Sequence, residues 1–512
     1  MRSRRAIANS RTARGSSSAG VLLAGVSLSI LSLAAVWVVY THGCTLYYGD
    51  ADAHLMIARR IVDSQTPGYD QLGTSWLPAL HLLMLPLVRI DALWRNGLAG
   101  AIPVAACFVA AGCFLFAAVR RLFNSVAAAG AAVALFALNP NVLYLQAIPM
   151  TEGVFFAALT GLLYFGARFR ETQGWGAAIG AGIAACAATL TRYDGWFLLP
   201  FAAAYFLFAA GRKRIPAALV FCVIAGLGPL YWLGHNWWMT GDWLDFYRGP
   251  YSARAIQGSA TYPGLHDWRT TWVYYFEAAR LCAGSLLVWI GIAGAAICAF
   301  RRKIWPIALL AIPPLAYVVS VYSGAVPIFL PTLWPHSYYN VRYGTSAIPL
   351  LALGAAALVA LAPRKGQAAV AIVIVLTGAG WWAFHWRPSQ WVAWEESRVN
   401  SEGRRAWTAE AAKYLAPRYV RGTGILTSSY PLTGVLREAG IPLAEALDVD
   451  NGLFWDAEVG RLELYPREEW VIAQGGDGAQ TAVNRAGRSG ITYRLEKQII
   501  VKGQPVIEIY RR

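Results

Sequence analysis

Carboxylates and arginines that border long apolar runs are the residues whose types and spacing suit chemistry in this chain. They are Asp50 and Asp52 (Gly49-Asp-Ala-Asp-Ala-His54), Glu152, Arg192 and Asp194 around Tyr193, and Arg342 (His336-Ser-Tyr-Tyr-Asn-Val-Arg-Tyr343). A carboxylate on an apolar face can act as a general base, because desolvation disfavours its charged form and lifts its pKa toward neutrality. An arginine at the mouth of an apolar segment is costly without an anionic partner, and its planar fork of donors fits a phosphate. Each residue also has a structural alternative. Asp50 or Asp52 could cap a helix, Glu152 could stabilise a helix N-terminus, Arg192 could pair with Asp194, and Arg342 could snorkel to lipid phosphate.

The pattern from 50 to 63 is helical. At about 100° per residue, His54, Ile57 and Ile61 fall within about 40° of Asp50. Asp52 falls on the opposite side with Arg59 and Asp63. Asp50 and His54 are therefore expected on the apolar face, and Asp52 on the solvated one. His54, His81, His235, His266 and His336 show no ligand spacing on a common helix. The tryptophans at 237, 238, 243, 268, 334, 381, 382 and 386 read mostly as interface anchors.

The elements that must position these groups follow from composition. Hydrophobic residues make up 57% of 512 and charged residues 14%, against about 25% in soluble proteins, so most of the chain belongs in lipid. The net charge of +16 lies in short clusters at 1–19, 120–125, 168–174, 211–215, 301–304 and 363–366. Basic loops between apolar runs are positive-inside sorting, which excludes the need for a nucleic-acid partner. Eleven spans are expected near 21–40, 98–119, 126–146, 153–167, 175–191, 196–211, 216–235, 278–300, 305–322, 343–362 and 367–386. The first is long enough to cross a core of about 30 Å, too long for a signal peptide, and leaves the basic tail 1–19 cytoplasmic. The apolar stretch 76–88 is short and reads as re-entrant or interfacial. This topology gathers the uncommon polar residues at the outer ends of spans.

Residues 387–512 hold 33 of the 72 charges and no cysteine. Strands are expected at 424–429, 470–474, 491–501 and 505–510, with helical stretches to 439 and over 481–486. The expected fold class is therefore a polytopic α-helical membrane protein of about eleven spans with a small C-terminal extracytoplasmic α/β domain. Its domains are the tail 1–19, a membrane domain 20–386 whose first outer loop is 41–97, and the outer domain 387–512. Six of the seven cysteines (107, 113, 186, 222, 282, 298) lie in spans as small apolar residues, and Cys44 faces outside.

Several pieces then stand in a familiar order. An outer Asp precedes Ile57-Ala-Arg-Arg60, and a short apolar helix with Pro78 follows. The next span ends in Arg120-Arg-Leu-Phe123, Asn139-Pro140 falls late in the third, and Arg342-Tyr343 with Pro349 opens a late one. Over 20–362 this resembles the GT-C superfamily of integral-membrane glycosyltransferases, in particular its protein O-mannosyltransferase and aminoarabinose-transferase branch. The resemblance implies transfer of a sugar from a polyprenyl-phosphate donor at the extracytoplasmic face, with inversion. It implies Asp50 as the base that activates the acceptor hydroxyl. The family often shows Asp-Glu there, and here the Glu position is Ala51, so Asp52 or Glu152 takes over the second acid's role or that role is absent. Asp50-x-Asp52 is also similar to the acidic metal-binding motif of oligosaccharyltransferases, which brings in a divalent metal ion; no organic cofactor is expected.

The resulting expectation is a multi-pass glycosyltransferase of the plasma or inner membrane, acting on a protein, lipid or glycan acceptor. Asp50, Asp52 and Glu152 are its candidate catalytic residues. Arg342, Arg192 and Tyr343 are candidates for the donor phosphate, and His54, Asp194 and His336 for the substrate pocket. The alternatives are a catalytically inactive GT-C-like scaffold and a transporter. A transporter needs ionisable groups near mid-span, which the expected spans lack.

Overall fold

The computed structural model describes residues 2–512 apart from 210, 212, 213, 259, 429, 463, 465 and 466, with side chains from residue 19 onward. Nearly all side chains of the basic tail 1–19, and two residues of the 211–215 cluster, lie outside the described residues. The chain divides into two compact units, one made of 1–39 with 102–396 and the other of 40–101 with 397–512.

The first unit is helical. Among the described residues, six helices are long and apolar enough to cross a membrane: Ala19–Thr41 within Arg2–Thr41, Leu98–Phe123, Arg214–Thr240, Ile304–Ser323, Val341–Val359 and Gln367–Phe384. A bent pair, Trp268–Ala283 and Ser285–Phe300, makes a seventh if it counts as one span. The other expected spans appear as the 22-residue helix Thr151–Thr172 and as shorter apolar helices, Val126–Ala137, Trp175–Thr191 and Leu198–Ala209.

Two expected spans are interrupted. The segment expected at 278–300 bends by 110° at Gly284, whose φ of +85° suits a residue without Cβ. The segment expected at 126–146 stops at Ala137 and resumes as Pro140–Leu145, because Asn139 caps the second piece and Pro140 takes its first position. The breaks satisfy one another. The Cys282 carbonyl accepts from the Asn139 and Asn141 side-chain amides, at 2.9 and 3.0 Å. Irregular backbone at membrane depth is tolerated where protein groups meet its polar atoms in this way.

Small residues let the helices approach closely. A Cβ on Gly294 would lie 1.8 Å from the Gly354 carbonyl oxygen, so Ser285–Phe300 and Ile348–Val359 touch backbone to backbone. The 3-10 turn Val341–Ala347, which carries Arg342, is seated in the same fashion. A Cβ on Gly344 would lie 2.3 Å from the Ala278 carbonyl carbon.

The second unit contains a five-stranded sheet of order β2-β1-β3-β5-β4. Its strands are β1 (Ile425–Thr427), β2 (Ala446–Leu447), β3 (Trp470–Gln474), β4 (Arg494–Ile499) and β5 (Ile507–Arg511). β1 pairs in parallel with β2 and β3, while β3–β5 and β5–β4 are antiparallel. The helix Gly478–Arg488 offers Ala479, Ala482, Val483 and Ala486 at helical spacing to a core that includes Leu426, Val471 and Tyr510. Asp477 caps that helix by accepting from the Gln480 amide at 2.8 Å. The sequence reading did not anticipate β2 or the helix Leu453–Gly460. The helix expected over 50–63 runs Gly49–Arg60.

Candidate active site

In the first unit, four residues from distant stretches of sequence converge. Glu152 opens the helix Thr151–Thr172, Arg192 ends Trp175–Thr191, Asp194 sits in the turn Tyr193–Phe197, and Arg342 sits in Val341–Ala347. Their side chains are all about one-eighth exposed or less. Arg192 lies 3.1 Å from Glu152 Oε1 through Nη1 and 3.1 Å from Asp194 Oδ1 through Nε. Its Nη1 also donates to the Thr151 hydroxyl at 2.7 Å, and its Nη2 donates to the Tyr317 hydroxyl.

Arg342 Nε lies 3.3 Å from the same Glu152 oxygen, and its Nη1 lies 3.8 Å from Glu396 Oε1. Both arginines lie against the ring of Tyr343, at 5.2 and 5.1 Å, and that ring stacks on Tyr317 at 4.4 Å. The site thus holds two guanidiniums and three carboxylates around a pair of tyrosine rings. Two of the carboxylate oxygens, Glu152 Oε2 and Asp194 Oδ2, are buried with no hydrogen-bond donor among the described residues.

Glu396 and Tyr317 were not anticipated. Glu396 accepts from the backbone amides of Asn340 and Arg342, at 2.7 and 3.3 Å, and so fixes the turn that carries Arg342. No signal in the sequence singled it out, since it stands beside Glu395 in the charged stretch that follows the last apolar run. Tyr317 lies inside an apolar helix, where nothing in the sequence separates it from core aromatics. His336 is exposed, with Nδ1 3.2 Å from the Pro331 carbonyl, and takes part in none of these contacts.

The remaining candidates belong to the second unit. The helix Gly49–Arg60 has no side-chain cap, so neither aspartate serves in that role. Asp50 is half-buried. His54 shares its face and is buried, with Nδ1 2.8 Å from His81 Nε2 and its ring edge-on to Trp76 at 4.2 Å. Burial, reinforced by His54 and Arg60, holds the His81 pKa well below the usual imidazole value.

The expectation that Asp52 is solvated is wrong, since its exposure is 0%. Arg404 Nη1 lies 2.5 Å from one Asp52 oxygen and Arg437 Nε 3.3 Å from the other. The polar face of the helix is therefore an ionic face packed against other parts of the same unit. Arg59 on that face likewise pairs with Asp63 and Asp91, at 2.7 and 2.6 Å. This geometry does not fit Asp52 as a metal ligand, because both oxygens meet guanidiniums. Among the described residues no three His, Cys, Asp or Glu side chains converge as a ligand set.

Comparison with known proteins follows the same lines. Residues 92–232, which include Glu152, Arg192 and Asp194, match the family model described as dolichyl-phosphate-mannose-protein mannosyltransferase. Among solved structures, the chain is similar to ArnT from Cupriavidus metallidurans in the apo state, with a TM-score of 0.57 and 14% identity. It is also similar to the same protein bound to undecaprenyl phosphate, with a TM-score of 0.56 and 14% identity. Each comparison covers 94% of this chain and 97% of that one. No curated protein matches the chain by sequence.

Proposed function

We propose that the chain is a member of the GT-C superfamily of membrane glycosyltransferases, on its mannosyltransferase and ArnT branch, and that it moves a sugar from a polyprenyl-phosphate donor to an acceptor hydroxyl at the extracytoplasmic face. The observation that carries this reading is the buried group of Glu152, Arg192, Asp194 and Arg342. A phosphate reaching its guanidiniums would share them with Glu152, Asp194 and Glu396, and the group's two carboxylate oxygens without donors suit sugar hydroxyls. A structure of ArnT holding undecaprenyl phosphate supports a lipid-phosphate donor.

The reaction is a direct displacement with inversion. The acceptor oxygen attacks the anomeric carbon as the bond to the phosphate oxygen breaks, and the bonding pair leaves with the phosphate. On the family resemblance, Asp50 is assigned as the acceptor of the hydroxyl proton. Arg342 and Arg192 offset the charge that develops on the leaving phosphate, where donors already in place contribute most. Tyr343 braces both guanidiniums, and Glu152 sets their spacing by sharing one oxygen between them. Asp52 takes no part in proton transfer, because its charge is committed to Arg404 and Arg437. The C-terminal residues 387–512 lie on the outer side.

Purified protein given labelled polyprenyl-phosphate sugars tests the reading. The Asp50→Asn variant should lose sugar transfer while expression and donor binding persist. Full activity in that variant removes the proposed base.

A further inference from the structure

The second unit contains a cavity of about 240 Å³ whose lining includes none of the residues assigned to the transfer reaction. Its charged lining is four arginines, Arg95, Arg404, Arg405 and Arg437, against one carboxylate, Glu438. Two of the four are already committed. Arg404 bonds Asp52 and the carbonyls of Leu46 and Tyr47, at 3.0 and 2.9 Å for the carbonyls. Arg437 lies on Asp52, donates to the Arg95 carbonyl at 2.9 Å and stands 3.7 Å from Glu438.

Arg95 and Arg405 differ. Neither has a carboxylate within ion-pair distance among the described residues. Arg405 lies over the Tyr47 ring at 3.9 Å and donates through Nε to the Ser401 hydroxyl at 3.0 Å, which orients its guanidinium without neutralising it. Arg95 donates through Nη2 to the Gly440 carbonyl at 3.0 Å. Two oriented, uncompensated guanidiniums in one concave site are an arrangement that binds an anion. Tyr40, also in the lining, falls at the end of the apolar span Ala19–Thr41.

We infer that this cavity binds a phosphate monoester through Arg95 and Arg405. The proposal does not depend on the transfer reaction. An occupied site would clamp the loop after the first span to the C-terminal helices of the same unit.

The test uses the full chain in detergent, titrated with short-chain phosphatidic acid, the matching diacylglycerol and inorganic phosphate. Phosphatidic acid should bind, less tightly as salt is raised, and diacylglycerol should not. Arg95→Gln and Arg405→Gln should each weaken phosphatidic acid binding about tenfold, a loss expected for one charge-assisted contact. Arg405→Lys, which keeps the charge, should weaken it less. Thermal unfolding of each variant at the wild-type midpoint shows that the fold is kept. Inorganic phosphate binding as tightly as the lipid would keep the anion site and identify a free anion as its source. Equal phosphatidic acid affinity in wild type and in a folded Arg95→Gln, Arg405→Gln double variant overturns the inference, as does equal binding of diacylglycerol. The transfer assay on Asp50→Asn involves neither arginine, so the two readings fail separately.

Discussion

Arg342 illustrates what a buried charge requires of its neighbours. Its guanidinium is 6% exposed at the start of an apolar helix, and its cost is offset by Glu152, Glu396 and the face of Tyr343. Removing one member of such a group leaves the others charged and buried, at a cost of about 3–5 kcal/mol. Arg342→Ala should therefore lower the thermal midpoint as well as abolish transfer. Arg342→Lys should keep more of the stability than of the activity, because an ammonium supplies charge but not a planar fork. The finding that would count against this is Arg342→Ala with wild-type stability. From sequence, Arg342 was conspicuous because charge beside apolar residues is rare. Its carboxylate partner Glu396 was hidden in a charged stretch where any acid looks ordinary.

At the scale of elements, the helix Gly49–Arg60 shows how far periodicity reaches. It sorted Asp50 and His54 to one face and Asp52 with Arg59 to the other, but the burial runs largely the opposite way: Asp52 and Arg59 are buried, while Asp50, Ile57 and Ile61 are only half-buried. What periodicity could not supply was the environment of the polar face, since a face rich in charge looks the same whether water or arginines meet it. Asp52→Ala removes the counter-charge of Arg404 and Arg437. It should destabilise the second unit by about 3 kcal/mol and speed amide exchange across 49–60. Unchanged exchange there would show that the ionic face does not anchor the helix. Gly294→Ala should reduce the yield of folded protein. Its Cβ would enter the Gly354 carbonyl, and overpacking of this kind costs about 1–3 kcal/mol or more.

At the scale of the whole molecule, the second unit has a pH dependence of known sign. Glu468 is pushed up from 4.5 to about 8, by burial first and then by Glu458, and Asp448 from 3.8 to about 7, by burial first and then by Asp450. The folded unit thus holds protons that the unfolded chain gives up near pH 4. Their stabilising contribution is full below about pH 4 and is lost as pH rises through about 7 to 8. His81, whose lowered pKa acts in the opposite sense below about pH 7, is neutral in both states above it, so the unfolding midpoint should fall from about pH 7 to about pH 9, and Glu468→Gln should flatten that fall. A midpoint that rises over this range contradicts the sign. The proposed topology is open to a separate check: a reporter fused after Trp386 should be found outside the cytoplasm. Hydropathy and basic clusters by themselves determined that the chain is a multi-pass membrane protein, because transfer to lipid depends on residue type and run length rather than on partners. The same holds for the strands Trp470–Gln474 and Ile507–Arg511 and for the rarity of Glu152, Arg192 and Arg342, which local composition makes visible. Only the tertiary structure decided that these three meet at one carboxylate oxygen, that Asp52 is buried, and that the breaks at Gly284 and Asn139 meet. The first two facts are fixed by atoms far away in sequence; the breaks have local causes in Asn139-Pro140 and Gly284, but only the tertiary structure brings them together at the Cys282 carbonyl.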